Sequence, residues 1–430
     1  MSYQPKQTYF GGALAGTDPE IAHALEAETE RQRHGIELIA SENLVSAATL
    51  EALGSPITNK TVEGYPGARY YGGAQFADRI ENLAIARAKE LFGAAYANVQ
   101  PHSGSQANLA VFLAFLNPGD TVLSMDLGAG GHLSHGAGPN ISGKWMNVES
   151  YGVDDRGFLD YDQLREQAVK HRPKLIIGGG SAYPRSLDFE VFRAVADEVG
   201  AVLLVDMAHW AGLVAAGVTP SPVPVADVVT TTTYKNLRGV RGGLILSKRE
   251  DLARRLNSAV FPGVQGSVIL NAVAAKAVCL HEAMQPDFAG YGAAVLANAR
   301  SLAAALVDGS IDVLTGGTDT PLVVADLRTL GITGAAASDA LEAAGLTANK
   351  NGVPNDPRPP QVTSGLRFGA SAGTARGLTE ADFAMVGRLI SEVLQALAAD
   401  DDRALAQVQT RVRAEVTNLT ARYEIYPPKP

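Results

Sequence analysis

The chain has 430 residues, 46% of them hydrophobic and 19% charged, with a formal net charge of −9. That length supports two domains or slightly more, each with its own core, and the acidic balance argues against a nucleic-acid surface or an anionic membrane as the main partner. The single cysteine, Cys279, excludes an intrachain disulfide; with no secretory apolar region and no run long enough to span a bilayer, the expected location is cytoplasmic.

In chain order, Thr17-Asp18-Pro19-Glu20 reads as a capping box with proline in the first turn, and Arg31, Arg33, His34 and Gly35 close that helix. From about residue 90 to 250, apolar runs (TVLSMDL, KLIIGGG, AVLLVDM, DVVTTTT, GGLILS) alternate with helical segments such as YDQLREQAVKH and DFEVFRAVADEVG. The alternation predicts βαβ units and a mostly parallel sheet covered by helices. NAVAAKAVCLHEA reads as a helix that carries Cys279 as a small core residue. After about residue 285 come Ala-rich helices, short strands (IDVLTG, PLVVADL) and a Pro-rich stretch at 354–362. The last long helix is expected to start at Thr379, with Asp382 completing its capping box and Phe383, Val386, Ile390, Val393 and Leu397 as its buried stripe. The expected division is an N-terminal helical segment over 1–55, a large α/β domain over 56–285 and a smaller α+β domain over 286–430.

Four features carry chemistry. In ADVVTTTTYKNLRGVRGG (226–243), a buried strand feeds one lysine and then an Arg- and Gly-rich turn. Lys235 there can lose its proton and hold a carbonyl cofactor as a Schiff base. Asp206 closes the apolar run AVLLVDM, where a carboxylate is costly unless a cation, such as a protonated pyridine nitrogen, meets it. Gly104 and Ser105, in NVQPHSGSQAN, open a helix whose free N–H groups favour a phosphate. Arg367, set among small and apolar residues in VTSGLRFG, suits bidentate recognition of a carboxylate. Each alone has an ordinary reading: a solvated lysine, a strand-end cap, an N-cap, an internal salt bridge. Together they describe a pyridoxal 5′-phosphate enzyme acting on an amino acid. In GGHLSHG, His132 can lie flat against an aromatic cofactor, or be a satisfied structural histidine. His132 and His135 have no acidic or thiol cluster beside them, so no metal is expected. No G-x-G-x-x-G follows a strand, so a nicotinamide cofactor is not expected either.

The motifs LIASEN (38–43), EGYPGARYYGG (63–73), NVQPHSGSQAN (98–108), GGHLSHG (130–136), DMAHWAGLVAAG (206–217), TTTTYKNLRG (230–239) and NKNGVPNDPRPPQVTSGLR (349–367) resemble those of serine hydroxymethyltransferases over nearly the whole chain. The resemblance implies an aminotransferase-like type I pyridoxal-phosphate fold, with tetrahydrofolate as cosubstrate. It also implies a homodimer, or a pair of dimers, that shares active sites between subunits. Carried over by position, Lys235 holds the cofactor, Asp206 meets its ring nitrogen, His132 stacks on the ring and His209 lies near its phenolic oxygen. Gly104, Ser105 and Gly266 are cofactor-binding positions, and Ser41 and Arg367 bind the substrate carboxylate. Glu63 and Tyr71 arrive from the neighbouring subunit, Glu63 moving the proton of the hydroxymethyl group. Leu127, Gly131, Leu133 and Asn351 match folate-contacting positions, and Arg241 matches a supporting arginine.

Several positions depart from the family pattern. Thr61 stands where a tyrosine is usual, Tyr234 replaces histidine before the lysine, and Asn236 replaces threonine after it. Gln265-Gly266-Ser267-Val268 replaces Gln-Gly-Gly-Pro, Asn271 replaces histidine, and Gly369-Ala370-Ser371 replaces Gly-Thr-Pro. These changes gather around the expected cofactor while the chemical residues stay. Losing the tyrosine ring at position 61 opens space beside the substrate Cα, so the pattern is similar to that of α-methylserine hydroxymethyltransferases, which give alanine and methylene-tetrahydrofolate. An ordinary serine enzyme, a folate-independent α-methylserine aldolase and an inactive structural member are the alternatives.

Overall fold

The computed structural model describes residues 8–427. The first long helix, α1 (Pro19–His34), is capped by Asp18, whose carboxylate accepts from Ile21 N at 3.1 Å. The expected box on Thr17 does not form: its hydroxyl donates back to Ala13 O. Pro19 occupies the first helical position, where its missing N–H costs nothing, and this leaves Asp18 as the capping residue. Arg31, Arg33 and His34 sit in the last turn, before Gly35.

Then come α2 (Gln75–Phe92), β1 (Tyr96–Asn98), α3 (Gly104–Phe115), β2 (Thr121–Met125) and β3 (Asn147–Tyr151). They are followed by α4 (Tyr161–His171), β4 (Leu175–Gly178), α5 (Phe189–Val199), β5 (Val202–Asp206), β6 (Val228–Thr232) and β7 (Gly243–Ser247). The strands form one seven-stranded sheet in the order β1-β7-β6-β5-β4-β2-β3. Only β7 runs against its neighbours, so the sheet is mostly parallel, as expected. Alternate residues feed opposite cores. Ile176, Leu203 and Val205 join Phe192, Val195 and Val199 of α5 on one face, while Leu175, Ile177 and Leu204 join Val111 and Phe112 of α3 on the other. Burial on both faces explains why these strands read as unbroken apolar runs. Each such side chain contributes about 1.5–3 kcal/mol by leaving water.

Two helices, α6 (Leu270–Ala283) and α7 (Asp287–Asp308), precede a smaller antiparallel sheet. It orders β8 (Asp312–Val313), β9 (Leu322–Asp326), β11 (Gly365–Gly369) and β10 (Asn349–Asn351), with α8 (Gly334–Ala343) between β9 and β10 in sequence. In α9 (Glu380–Ala398), the Thr379–Asp382 capping box is present in both directions. Phe383, Val386, Ile390 and Val393 are fully buried, and Leu397 packs at the edge of the same core. A further helix, α10 (Asp402–Thr420), follows unexpectedly; only Val412, Val416, Leu419 and Thr420 of its 19 residues are buried, which leaves a thin apolar stripe. Among the described residues no helix is long and apolar enough to cross a membrane. The chemistry-bearing residues gather at strand ends: Asp206 closes β5, Lys235 lies just past β6, and Gly104 opens α3 after β1.

Candidate active site

Lys235 is buried, and its Nζ lies 3.0 Å from His209 Nε2. Burial lowers its pKa from 10.5 to about 8; Asp206 opposes that pull, and the positive Arg367 and Arg241 add to it. The same causes, burial first and then the Lys235 and Arg367 charges, hold His209 well below the usual histidine value and keep its imidazole neutral. A neutral Nε2 can accept from an ammonium or, as N–H, donate to a free amine, so the contact survives loss of the lysine proton.

Asp206 presents a different balance. Burial would raise its pKa, but His135 through a hydrogen bond and its charge, His132 through its charge, and Asn108 hold the carboxyl well below the ordinary range. His135 Nε2 lies 3.0 Å from Oδ2, and Asn108 Nδ2 donates to the same oxygen at 2.8 Å. A carboxylate only accepts, so the proton of His135 belongs on Nε2. Asn108 Oδ1 accepts in turn from Thr230 Oγ1 at 2.6 Å, which fixes the amide's orientation. Oδ1 of Asp206 accepts from Ala208 N at 3.1 Å, leaving lone pairs for a further donor.

His132 lies beside this pair, its ring 5.3 Å from that of His135. Burial lowers its pKa to about 4, and its Nδ1 meets Ser134 Oγ at 2.7 Å. Arg367, on β11, reaches across to the large sheet: Nη1 donates to Ser181 O at 2.6 Å and Nε to Asn349 Oδ1 at 3.1 Å. Burial brings its pKa down to about 10, so it remains a cation at neutral pH. Ser41 follows Ala40, which packs so tightly on Gly369 that a Cβ there would lie 2.4 Å from Ala40 Cα. The structure therefore gathers Lys235, His209, Asp206, His132 and Arg367, with Ser41 beside the arginine's strand.

Gly104 and Ser105 open α3, capped by Ser103. A Cβ on Gly104 would meet Thr232 Cγ2 at 2.7 Å, so only glycine allows this approach of helix to strand. Thr232 Oγ1, His102 Nε2 and His209 Nδ1 are buried without hydrogen-bond partners. An acceptor-poor helix end, a partnerless hydroxyl, a buried amine and an ionised carboxylate fit pyridoxal phosphate, which brings a phosphate, a carbonyl and a basic ring nitrogen to the same span.

Other expected residues lie apart from this cluster. Thr61 and Tyr71 are exposed, and Glu63 is half-buried. Gly266 neighbours Glu63: a Cβ on it would lie 3.9 Å from Glu63 Oε1 and meet nothing else. Among the described residues no hydrogen bond or ion pair joins the side chains of Thr61, Glu63 or Tyr71 to Lys235 or Asp206. Leu127 and Leu133 are exposed apolar side chains on either side of buried Gly131, whose carbonyl accepts from Ser181 Oγ at 2.9 Å. Asn351 ends β10, two residues from the Asn349 that holds Arg367.

The sequence reading did not single out Asn108 or Thr230 and assigned no role to His135. His135 was visible as the second histidine of GGHLSHG; Asn108 and Thr230 sat inside quoted motifs without a charge to mark them. The departures from the family pattern also pair in space. Asn236 Nδ2 donates to Ser371 Oγ at 3.1 Å, and Ser267 Oγ both accepts from Val62 N at 3.2 Å and donates to Val62 O at 2.9 Å, next to Thr61. Tyr234 carries the Arg241 guanidinium 4.5 Å above its ring.

The family model described as serine hydroxymethyltransferase matches residues 14–390. A protein named serine hydroxymethyltransferase from Acidiphilium cryptum is 58% identical over 419 residues, 97% of each chain. One of the same name from Rhodospirillum centenum is 57% identical over 428 residues, covering 99% of this chain and all of the other. A third, from Paracoccus denitrificans, is 56% identical over 419 residues, 97% of this chain and 98% of its own. The chain belongs to the serine hydroxymethyltransferase family, pyridoxal-phosphate-dependent transferases that take tetrahydrofolate as cosubstrate.

Proposed function

We propose that the chain transfers a hydroxymethyl group reversibly between a β-hydroxy amino acid and tetrahydrofolate, with serine and glycine as the amino-acid pair. The observation that carries this reading is the buried amine of Lys235 at 3.0 Å from a neutral His209, with ionised Asp206 in the same cluster. The shared name of relatives at 56–58% identity supports serine as the substrate.

Bound in this site, pyridoxal phosphate supplies a carbonyl for amines and a ring that accepts the electron pair left at Cα when the Cα–Cβ bond breaks. Lys235, with its pKa near 8, offers a free amine over a useful share of molecules near neutral pH. Asp206 stays ionised and would favour a proton on the cofactor's ring nitrogen; His135 and Asn108 hold its Oδ2 in place. Arg367, with Ser41, would bind the substrate carboxylate and so orient the bonds at Cα. His132 would lie against the ring of the cofactor. Glu63 takes the proton from the substrate hydroxyl as the hydroxymethyl carbon leaves and returns it in reverse. Leu127, Gly131, Leu133 and Asn351 form the folate-facing surface. We assign Glu63, Tyr71, Thr61 and Gly266 to the site of a second copy of the chain. The exposure of Thr61, Tyr71 and Gly266, set against the depth of the Lys235 cluster, supports a dimer in which two copies complete each other.

A second reading is carried by the paired departures. Thr61 in place of a tyrosine leaves room for a methyl group on Cα, and its neighbour Val62 is held by Ser267, itself a departure. Asn236 and Ser371 change together and bond to each other. One bonded pair of departures, and another departure bonded to the residue beside Thr61, support a reshaped substrate pocket, and α-methylserine, giving alanine, is a substrate of that shape. A methyl group in such a pocket is worth roughly 10- to 200-fold in selectivity.

The test is product formation from L-serine and from α-methyl-L-serine, each with and without tetrahydrofolate. Glycine formed faster, and only with folate, supports the serine reading; alanine formed faster, and only with folate, moves the assignment to α-methylserine. Folate-independent alanine identifies an aldolase. No product from protein loaded with pyridoxal phosphate contradicts every catalytic reading.

A further inference from the structure

A second buried lysine has no part in the chemistry above. Lys276, on α6, is 1% exposed, and its Nζ donates to three backbone carbonyls: Val99 O at 2.7 Å, Pro101 O at 2.8 Å and Gly243 O at 3.1 Å. No carboxylate pairs with it among the described residues. Glu81, whose charge reaches Lys276, is engaged by Arg69 at 2.6 Å and by Gln100 Nε2 at 2.8 Å.

Three carbonyls converging on one nitrogen match the three N–H bonds of an ammonium. A neutral amine would have two donors and turn its lone pair on the third oxygen. Burial draws the Lys276 pKa down to about 7, and the Glu81 charge opposes that pull; hydrogen bonds to three carbonyls favour the charged form in the same sense. The coordination resembles that of a bound monovalent cation, with the charge supplied by a side chain.

The carbonyls belong to the two segments that frame the expected phosphate site. Val99 and Pro101 precede Ser103, Gly104 and Ser105, while Gly243 starts β7 after the Lys235 turn. Gly243 N also donates to Pro101 O at 3.0 Å. The approach is so close that a Cβ on Gly243 would lie 2.4 Å from Ser103 O, and one on Gly242 would lie 2.1 Å from Lys276 Cε. The two adjacent glycines therefore have a structural reason: they admit the ammonium and the loop.

We propose that Lys276 is a positioning residue that acts as a built-in monovalent cation, locking the Val99–Ser105 loop to the strand after Lys235 and so setting the affinity for the cofactor phosphate. The inference rests on the assignment of Gly104 and Ser105 to that phosphate. Lys276 touches neither cofactor nor substrate; it acts through the loop backbone.

The test titrates apo-protein with pyridoxal phosphate and with pyridoxal, following visible absorbance, for wild type, Lys276→Met and Gly242→Ala. Each titration is run in potassium, ammonium and tetramethylammonium chloride at one ionic strength, with circular dichroism to check folding. Lys276→Met should bind pyridoxal phosphate at least about tenfold more weakly, with pyridoxal affected far less. Potassium or ammonium should restore part of the loss and tetramethylammonium none, while wild type shows no cation preference. Gly242→Ala, which displaces the same ammonium while keeping it in the chain, should show the same phosphate-selective defect and decides the matter if Lys276→Met does not fold. Unchanged affinity in a folded variant, or equal loss for both ligands in every salt, would overturn the proposal. Wild type that binds both ligands equally would instead overturn the phosphate assignment beneath it.

Discussion

The two halves of the candidate site differ in kind. Around Lys235 the groups are buried, hydrogen-bonded to one another and electrically coupled: His209 to the amine, His135 and Asn108 to Asp206, Thr230 to Asn108. Around Glu63, itself half-buried, Thr61 and Tyr71 are open to solvent, Tyr71 at 48% exposure. Burial is what gives Lys235 a pKa near 8, while His135, His132 and Asn108 keep Asp206 ionised against the pull of burial, and such tuning needs fixed neighbours within one chain. The more exposed half would be completed by a second copy in the proposed dimer. In the proposed mechanism the buried half holds the cofactor, and the more exposed half supplies the proton transfer and shapes what enters.

Breaking the buried half should have the largest effect. Lys235→Ala should abolish the visible absorbance of the bound cofactor and lower the transfer rate by at least about a thousandfold, measured as product per bound cofactor. Glu63→Gln strikes the exposed half instead. It should cost about 10²- to 10⁴-fold in transfer while leaving cofactor affinity and spectrum unchanged, because only the proton transfer is removed. A matching loss of cofactor would place Glu63 in the wrong half.

Thr61→Tyr sharpens the comparison at the pocket. It should raise the ratio of serine to α-methylserine turnover by roughly 10- to 200-fold, with the cofactor held at least as tightly. If both substrates respond alike, residue 61 does not face Cα.

The pH dependence follows from the lysine. Its pKa is lowered to about 8, and the reactive form is the neutral amine, so the rate of cofactor capture by apo-protein should rise with pH and level off above about 8. Below that, each pH unit should cost about tenfold. A rise continuing to pH 10 would mean that burial does not tune Lys235. The smallest effect is the Asn236–Ser371 contact, where a double-mutant cycle to alanine should return about 1 kcal/mol of coupling in unfolding free energy.

Much of the site was legible in the sequence, for a physical reason. Strands buried on both faces leave unbroken apolar runs, so β5 and β6 and the residues at their ends could be placed from the pattern alone. Lys235, Asp206, Gly104 and Arg367 stood out because a charge or a small residue interrupts such a run. What stayed hidden were partnerships across long sequence separations. Asn108 reaches Asp206 98 residues away, and Lys276 reaches Val99 across 177. Neither residue breaks its helical pattern, and a lysine in NAVAAKAVCLHEA looks like a solvated one. The Asp18 cap and α10 were missed at the local level, where proline's position and a thin apolar stripe decide.

The most direct test of the divided site is subunit mixing. Lys235→Ala and Glu63→Ala chains, each nearly inactive alone, are unfolded together, refolded at equal amounts with pyridoxal phosphate and assayed for transfer. If two copies complete each other's sites, half of the dimers are mixed and each holds one intact site, so about a quarter of wild-type activity should return. Mixed dimers verified by mass that remain as inactive as the parents would show that Lys235 and Glu63 serve one site within a single chain, and would contradict a site divided between two copies.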